Sequence, residues 1–458
     1  MSSPASQAPM GSAQPLESPT PEVPEAPTTS QHDIVVIGAG VSGMKAAQEL
    51  SGKNLNVVVL EAQNKIGGRT RTDRSLGVAF DEGASWIHGS TGEHPITQLV
   101  AGAGLKSFST FSDQVKVYDA EGKVISKAVF EPLYAQYKEA LKMVRESGEL
   151  QKNFQEVYAS QVFPDLNAQP RLRDYMFTAF LGFNAGGDIS KLSSVQFEDD
   201  QQFAGTEELI TNGYDKIPQF LMESGKVNVR LKQVVKEIDY SGEKIKITTA
   251  NNSQFFASQV VVTVPLGVLK AGKIQFQPAL PESHQEAIRR MGMGNVNKFL
   301  IKWADDIEPF WEEDLHYIGY TSAIPGLFNY FLNLKLVKGI EANALMTFAF
   351  GDQADASEKL SDSEIKAGVM KNLKAIYGDK IPEPQTILRT RWRANEYSYG
   401  AYSFAAAGSP STDFDTLTQP VGQKLFFAGE HTSRNYRGTV HGAFFSGRDA
   451  AQKILAVR

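Results

Sequence analysis

No cysteine occurs in this 458-residue chain, which excludes disulfides, thiolate metal sites, cysteine nucleophiles and any cofactor attached through a cysteinyl sulfur. Long apolar runs are also missing. Nothing approaches the 18 or more consecutive apolar residues of a spanning helix, so no membrane partner is expected. A basic surplus is absent as well: the formal net charge is -6, with Lys and Arg scattered, so nucleic acid is not an expected partner. The seven histidines, His32, His88, His94, His284, His316, His431 and His441, show no metal-ligand spacing, and no metal is expected. Neither a nucleophile-elbow serine nor a phosphate-loop Gly-Lys-Ser/Thr pattern appears, and no internal repeat is visible.

The composition is otherwise that of an ordinary globular chain, 41% apolar and 21% charged, and its length exceeds what one hydrophobic core serves. At least two packed units are therefore expected. Residues 1–31 differ from the rest, with seven prolines, six serines, three glutamates and no Lys or Arg, and read as a disordered acidic tail. The tail lacks the pattern of a secretory signal or a transit peptide, so the expected location is cytoplasmic.

Folding signals begin at Asp33. Ile34, Val35, Val36 and Ile37 form a β-branched run suited to a strand buried on both faces. Gly38-Ala39-Gly40-Val41-Ser42-Gly43 follows, then a helical stretch from Met44 to Leu50, then a second buried strand from Asn56 to Leu60 ending at Glu61. In this βαβ unit Gly38 permits a tight turn, Gly40 lets the backbone approach a pyrophosphate, and Gly43 lets helix and strand pack closely. Glu61 can bond a ribose hydroxyl. The unit predicts dinucleotide binding without choosing the dinucleotide. Gly67-Gly68-Arg69-Thr70-Arg71 comes next, bringing backbone amides and the planar fork of Arg69 toward phosphates.

Together these two motifs resemble the flavin-containing amine oxidase superfamily, which includes monoamine oxidases, polyamine oxidases, L-amino-acid oxidases and lysine-specific histone demethylases. The resemblance continues in order along the chain from residue 33. It runs through Phe80 to Gly89, Asn212-Gly213-Tyr214, Val260 to Leu269 and Gly294 to Lys298. Near the end it takes in Arg391-Trp392, Gly400 to Ser403, Leu425 to Thr432 and Gly438 to Ala443. The Trp86-Ile87-His88-Gly89 form is most like polyamine oxidases. The resemblance implies a non-covalently held FAD, with Gly83, Ala84, Ser85 and Trp86 running along the flavin and the backbone of Val235 touching the adenine. Trp392 and Tyr397 are read as aromatics packing the cofactor.

Physical reading of the C-terminal segments points the same way. Leu425 to Ala428 is an apolar strand that places Glu430 at its C-terminal edge, where doubly wound folds bind ligands, and relatives suggest a ribityl hydroxyl as its partner. Residues 440 to 457 have helical spacing. A helix start around Thr439 and Val440 would present unpaired N–H groups and a partial positive charge to a developing anion.

For the chemistry, the resemblance implies that Lys298 reaches the flavin N5 through a water, serving either electron transfer to dioxygen or imine hydrolysis. Tyr402 and Thr439 take the two positions that are aromatic in monoamine oxidases. The cage is then half open, suited to a thread-like substrate. His88 is expected at the tunnel mouth, where a neutral imidazole can accept a hydrogen bond from a protonated amine. Glu198, Asp199 and Asp200 are the obvious carboxylates for distal cationic nitrogens.

The expected fold class is α/β, a discontinuous Rossmann-like FAD-binding domain (32–110, 205–275 and 411–458) with an interleaved mixed α+β substrate domain (111–204 and 276–410). The first substrate segment is expected to be mainly helical, around Leu133 to Val144 and Arg173 to Leu181. The second mixes strands such as Ala344 to Phe350 with a helix around Ser363 to Ile376, and Val227 to Ile238 alternates like one strand. The long insertion of the demethylases is lacking. The expected activity is oxidation of a polyamine by hydride transfer to flavin, with imine hydrolysis and reoxidation by dioxygen to give hydrogen peroxide. The alternatives are a monoamine or L-amino-acid oxidase and, in a different class, a non-catalytic flavin-binding protein.

Overall fold

A computed structural model describes residues 27–458. Strand β1 (Thr29–Ile37), helix α1 (Val41–Ser51) and strand β2 (Val57–Leu60) form the first βαβ unit. β1 is central: β2 pairs parallel on one side from Ile34↔Val57 to Ile37↔Leu60, and β3 (Gln254–Val262) pairs parallel on the other from Thr29↔Gln254 to Ile37↔Val262. β4 (Leu425–Phe427) extends the sheet beside the C-terminal part of β3, starting at Val260↔Leu425. The last helix, α2 (Val440–Ala456), packs on α1.

The β-branched run explains this placement. Successive side chains point to opposite faces of a strand. Ile34 and Val36 accordingly pack with Met44, Leu50, Ala450 and Ile454 under the helices, while Val35 and Ile37 pack with Val58, Leu60, Ile238 and Phe255 on the other face. Each such buried side chain contributes about 1.5–3 kcal/mol of transfer free energy, and an Asp at Val36 would break the helix-covered face. α1 and α2 approach until a Cβ at Gly447 would sit 2.2 Å from the Ser42 carbonyl oxygen, so only glycine fits at the crossing.

A second, six-stranded sheet runs in the order Thr386–Arg389, Val296–Lys302, Ala344–Phe350, Leu327–Asn333, Tyr317–Tyr320, Val115–Tyr118. Helices Lys127–Glu146, Phe154–Ala159 and Pro170–Met176 bury aromatic and aliphatic faces in the same core as Val296, Leu300, Met346 and Phe348. A three-stranded sheet of Trp86–Ile87, Glu207–Ile210 and Ser107–Thr110 forms one flank of the site. The fold is mixed α/β, with helices at Lys127–Glu146 and Asp362–Tyr377 and a strand at Ala344–Phe350 where periodicity predicts them.

Three local readings need correction. The tail expected over 1–31 overlaps β1, because the long β3 offers pairing partners to Thr29, Ser30 and Gln31; residues 1–26 lie outside the described residues. The single strand expected over 227–238 is two, Val229–Arg230 and Val235–Asp239. Between them the chain turns through Lys232 at φ 57°, so that the Lys232 and Gln233 N–H groups donate to the Gln63 and Glu61 carbonyls. The helix read over 173–181 gives way at Phe177–Gly182 to a wider π-helical turn, a form that often accompanies functional sites.

Candidate active site

The glycine turn has a geometry that matches its residue types. Gly38 sits at φ +106°, a Cβ on Gly43 would lie 2.0 Å from the Gly38 carbonyl oxygen, and the space beside Gly40 is open. α1 begins at Gly40 with no side-chain cap, leaving its N-terminal dipole to serve an anion. Glu61 accepts from Ala39 N–H at 2.7 Å and Gln63 N–H at 2.9 Å. Burial pushes its carboxyl above the usual range despite those bonds, and Tyr397 lies near enough to feel its charge. Gly67 and Gly68 adopt φ +111° and +57°, and a Cβ on Gly68 would meet Gly40 Cα at 3.7 Å, so the two glycine turns face each other. Val235 is buried at the start of its strand.

Arg69, expected to hold phosphates, donates through Nη1 to Glu430 at 2.6 Å and to the Ala401 carbonyl at 2.9 Å. Glu430 in turn accepts from Ser403 Oγ at 2.5 Å, Ser403 N–H at 3.3 Å and Gly438 N–H at 2.9 Å. Its carboxylate thus ties three chain segments together at the strand edge where relatives suggest a ribityl hydroxyl as its partner. Burial works against its charge, yet Arg69, His431 and Ser403 hold its carboxyl below the ordinary value. Beside it His431 is fully buried with neither ring nitrogen partnered, and burial lowers it to about 4. The open approach at Gly40, the helix start without a side-chain cap and the unpartnered ring nitrogens of buried His431 suit a large polar cofactor, so these residues fit FAD.

Lys298 lies in the strand Val296–Lys302, opposite Phe348 in register. Its ammonium is buried and donates to the Asp81 carbonyl at 3.0 Å, the Gly83 carbonyl at 2.5 Å and Ser85 Oγ, with Nζ 5.5 Å from the centre of the Trp86 ring. All three donors therefore go to uncharged oxygens of the segment 81–85. A Cβ at Gly83 would sit 1.8 Å from the Arg69 carbonyl oxygen, and Ala84 N–H donates to that same oxygen at 3.1 Å. Trp392 donates from Nε1 to the Glu82 carbonyl and stacks under Arg71, which is paired with Glu82.

Tyr402 donates to the Phe183 carbonyl at 2.5 Å, its ring fitted against Gly186 and Gly438, where side chains would collide or crowd it. Thr439 caps α2: its Oγ1 accepts from Gly442 N–H at 2.9 Å and donates to the Tyr436 carbonyl at 2.7 Å, with Val440 following as the first helical residue. The Thr439 hydroxyl is thus spent on the cap. Trp86 donates to Thr110 Oγ1 at 3.1 Å and meets Phe183 edge-on at 6.1 Å between centroids. Phe183 packs against Phe348 at 5.1 Å, and Phe348, Tyr330 and Tyr317 continue the series of buried rings.

Sequence reasoning missed the partner of His88. Its Nδ1 lies 2.5 Å from Glu207 Oε2, with side chains 52% and 47% exposed. A carboxylate there draws the ring proton to Nδ1 and leaves Nε2 of the neutral ring as an acceptor. Conversely, the acidic run expected to receive cations is already engaged: Arg437 pairs with Asp199 at 2.6 Å and Asp200 at 3.3 Å, and Arg145 lies 3.7 Å from Glu198. Behind His88, the buried rings of His94 and His441 meet at 3.0 Å and tie the segment carrying His88 to the first turn of α2. Because Ile96 N–H donates to His94 Nδ1, the His94 proton is on Nε2 and is donated to His441 Nδ1.

Comparison with known proteins agrees with this assembly. The family model for flavin containing amine oxidoreductases matches residues 41–455, and the chain belongs to that family. Among curated relatives, a probable polyamine oxidase 4 of Arabidopsis thaliana is 30% identical over 442 residues, covering 92% of this chain and 86% of that protein. Polyamine oxidase 4 of Oryza sativa subsp. japonica is 32% identical, covering 94% and 90%. Human lysine-specific histone demethylase 2 is 28% identical across 92% of this chain, which spans 53% of that protein. A solved putrescine oxidase bound to putrescine superposes with a TM-score of 0.77 at 20% identity, over 93% of this chain and all of that one. The protein is a flavin-dependent amine oxidase with non-covalent FAD. Among the described residues no helix is long and apolar enough to cross a membrane, and no cluster suited to a metal ion is found.

Proposed function

We propose that this amine oxidase acts on polyamines, spermine, spermidine or their acetyl derivatives, with dioxygen as electron acceptor and hydrogen peroxide as product. The observation that carries the reading is the half-exposed His88–Glu207 pair at the end of the strand that also carries Trp86. On that same strand Trp86 meets Phe183, whose carbonyl accepts from Tyr402, and has its ring centre 5.5 Å from the Lys298 nitrogen, so aromatic contacts link the strand that ends at His88 to Tyr402 and Lys298. A chain with several cationic nitrogens can pair its distal ammonium with Glu207 while its reacting nitrogen, unprotonated, lies among the aromatic rings. A monoamine has nothing to place at the rim.

Bound FAD supplies the hydride acceptor. The protein's own groups do the rest. The rings of Trp86, Phe183, Phe348 and Tyr402 exclude water from the reacting amine, which keeps it neutral so that its lone pair can stabilise the iminium left by hydride loss. No general base on carbon is then required. The dipole at the start of α2, with the first-turn N–H groups that the Thr439 cap does not take, stabilises negative charge, and Lys298 serves the oxygen or water half of the cycle. The domain assignment that accompanies this reading draws the cofactor unit from 32–110, 205–275 and 411–458 and the substrate unit from 111–204 and 276–410.

Anaerobic flavin bleaching with spermine, spermidine, their acetyl derivatives, aromatic monoamines and L-amino acids tests the proposal. Fast bleaching by polyamines supports it; faster bleaching by a monoamine or an amino acid refutes it.

A further inference from the structure

Asp81 ends the short strand Phe80–Asp81, which pairs with Thr72–Asp73. Its Oδ1 accepts from Thr72 Oγ1 at 2.5 Å and from Tyr214 N–H at 2.9 Å, whereas Oδ2 is buried with no hydrogen-bond partner. Lys298 reaches the same turn from the other sheet and bonds the Asp81 carbonyl. An ammonium surrounded by three uncharged acceptors has lost its water without gaining a contacting counter-ion, and a buried charge in that state is costly.

The surrounding charges leave one candidate to offset it. Glu82, next in the chain, is paired with Arg71, and Asp215, behind Asp81, is paired with Arg74 at 2.8 Å. The Tyr214 hydroxyl, pushed up by burial, stays neutral. Asp81 is then the carboxylate without an arginine, and it exerts the largest favourable charge effect on Lys298.

We propose that Asp81 is a positioning residue for Lys298: its buried carboxylate is the counter-charge that keeps the Lys298 nitrogen protonated and held against the segment 81–85. The two groups behave as one unit. Burial pushes Asp81 up to about 7, and burial lowers Lys298 to about 8. In the interval between, the unit is a carboxylate and an ammonium. Loss of either charge removes the support of the other, so neutralising Asp81 lowers Lys298, and removing Lys298 raises Asp81.

This inference rests on the reading of Lys298 as facing the flavin, and two readouts on the holoenzyme separate the two ideas. The first is the infrared band of a protonated carboxylic acid at about pH 7.5, inside that interval. Lys298→Met should show a band clearly stronger than the wild type's, and combining it with Asp81→Asn should abolish that gain. Identical spectra for wild type and Lys298→Met overturn the proposal. The second is the visible absorption of the oxidised bound flavin followed against pH. Asp81→Asn should move the wild-type midpoint down by about one unit or more, and Lys298→Met should remove the transition. An unmoved midpoint in Asp81→Asn overturns the proposal. Should Asp81→Asn fail to hold flavin, the infrared comparison of wild type with Lys298→Met decides alone. A flavin spectrum insensitive to pH in the wild type, with the infrared band behaving as stated, upholds the pair and withdraws only the placement of Lys298 beside the flavin.

Discussion

Replacing Glu207 with glutamine removes one negative charge from the rim and preserves the size of the side chain. Two unit charges about 4 Å apart interact by about 1 kcal/mol in bulk water and about 4 kcal/mol at the effective dielectric of a protein surface. Glu207 is 47% exposed and His88 52%, so the lower part of that range applies. Allowing for screening, the loss for a distal ammonium is about 1–2 kcal/mol, which is about a 5- to 30-fold rise in the dissociation constant. The effect should fall on binding and leave the limiting rate of flavin reduction nearly unchanged, because the group lies at the rim, away from the reacting carbon. Stopped-flow reduction at a series of spermine concentrations measures both quantities, and raising ionic strength should shrink the wild-type advantage. His88→Ala should weaken polyamine binding by roughly 1–3 kcal/mol through loss of the Nε2 acceptor and of the contact that orients Glu207. Equal losses for a polyamine and for benzylamine in either variant would refute the reasoning, since a monoamine cannot span the distance to the rim.

Purified protein should be yellow, and acid precipitation should release FAD to the supernatant, because no cysteine is available for a thioether link; flavin in the washed pellet would contradict this. Lys298→Met should keep FAD and slow either reoxidation or reduction, and stopped flow showing both half-reactions at wild-type rates would remove Lys298 from the chemistry. Acid should destabilise the fold through its buried histidines: burial lowers His94 and His431 to about 4 and His441 to about 2. The unfolded chain therefore binds more protons than the native one below about pH 6.5, and stability present above that value is lost as pH falls toward 4, by about 1.4 kcal/mol per pH unit for each histidine. Asp81 and Asp188, raised by burial to about 7 and about 6, act in the opposite sense over part of that range. His441→Asn keeps an acceptor near the place of Nδ1 without titrating, so denaturant titrations between pH 6 and 4 should give a slope shallower by about 1 kcal/mol per unit; an unchanged slope would exclude the histidine pair as a source.

What could be read from the sequence was whatever depends on near neighbours. The turn from Gly38 to Gly43 was legible because each glycine answers a local demand, and the strand Ile34 to Ile37 because burial on both faces needs an unbroken apolar run. The strand expected over 227–238 failed at Lys232, where bonds to residues 61 and 63 bend the chain, and alternation carries no trace of such bonds. The acidic run at Glu198 to Asp200 looked like a cation trap until the fold brought Arg437 to it from 237 residues beyond Asp200. Glu207 escaped notice for the converse reason. Its partner His88 is 119 residues away, and only the pairing of Trp86–Ile87 with Glu207–Ile210 joins them.

The crossing of α1 on α2, where Ser42 touches Gly447, sets an order of assembly. Ser42 Oγ lies 3.1 Å from Ser446 Oγ across 404 residues of chain. At about 5–20 residues per second a ribosome takes roughly 20–80 s to make the second helix after the first. Through about the first half of that interval, until residues 254–262 are made, β1 has β2 beside it but lacks β3, and its apolar run presents an open edge of the kind that pairs with other chains. Contacts this distant in sequence also make folding slow once synthesis ends. Removal of the last 20 residues should therefore yield aggregated chain in place of a soluble, flavin-free enzyme, and the nucleotide site, whose glycines lie near the N-terminus, is finished by the final turns of the chain.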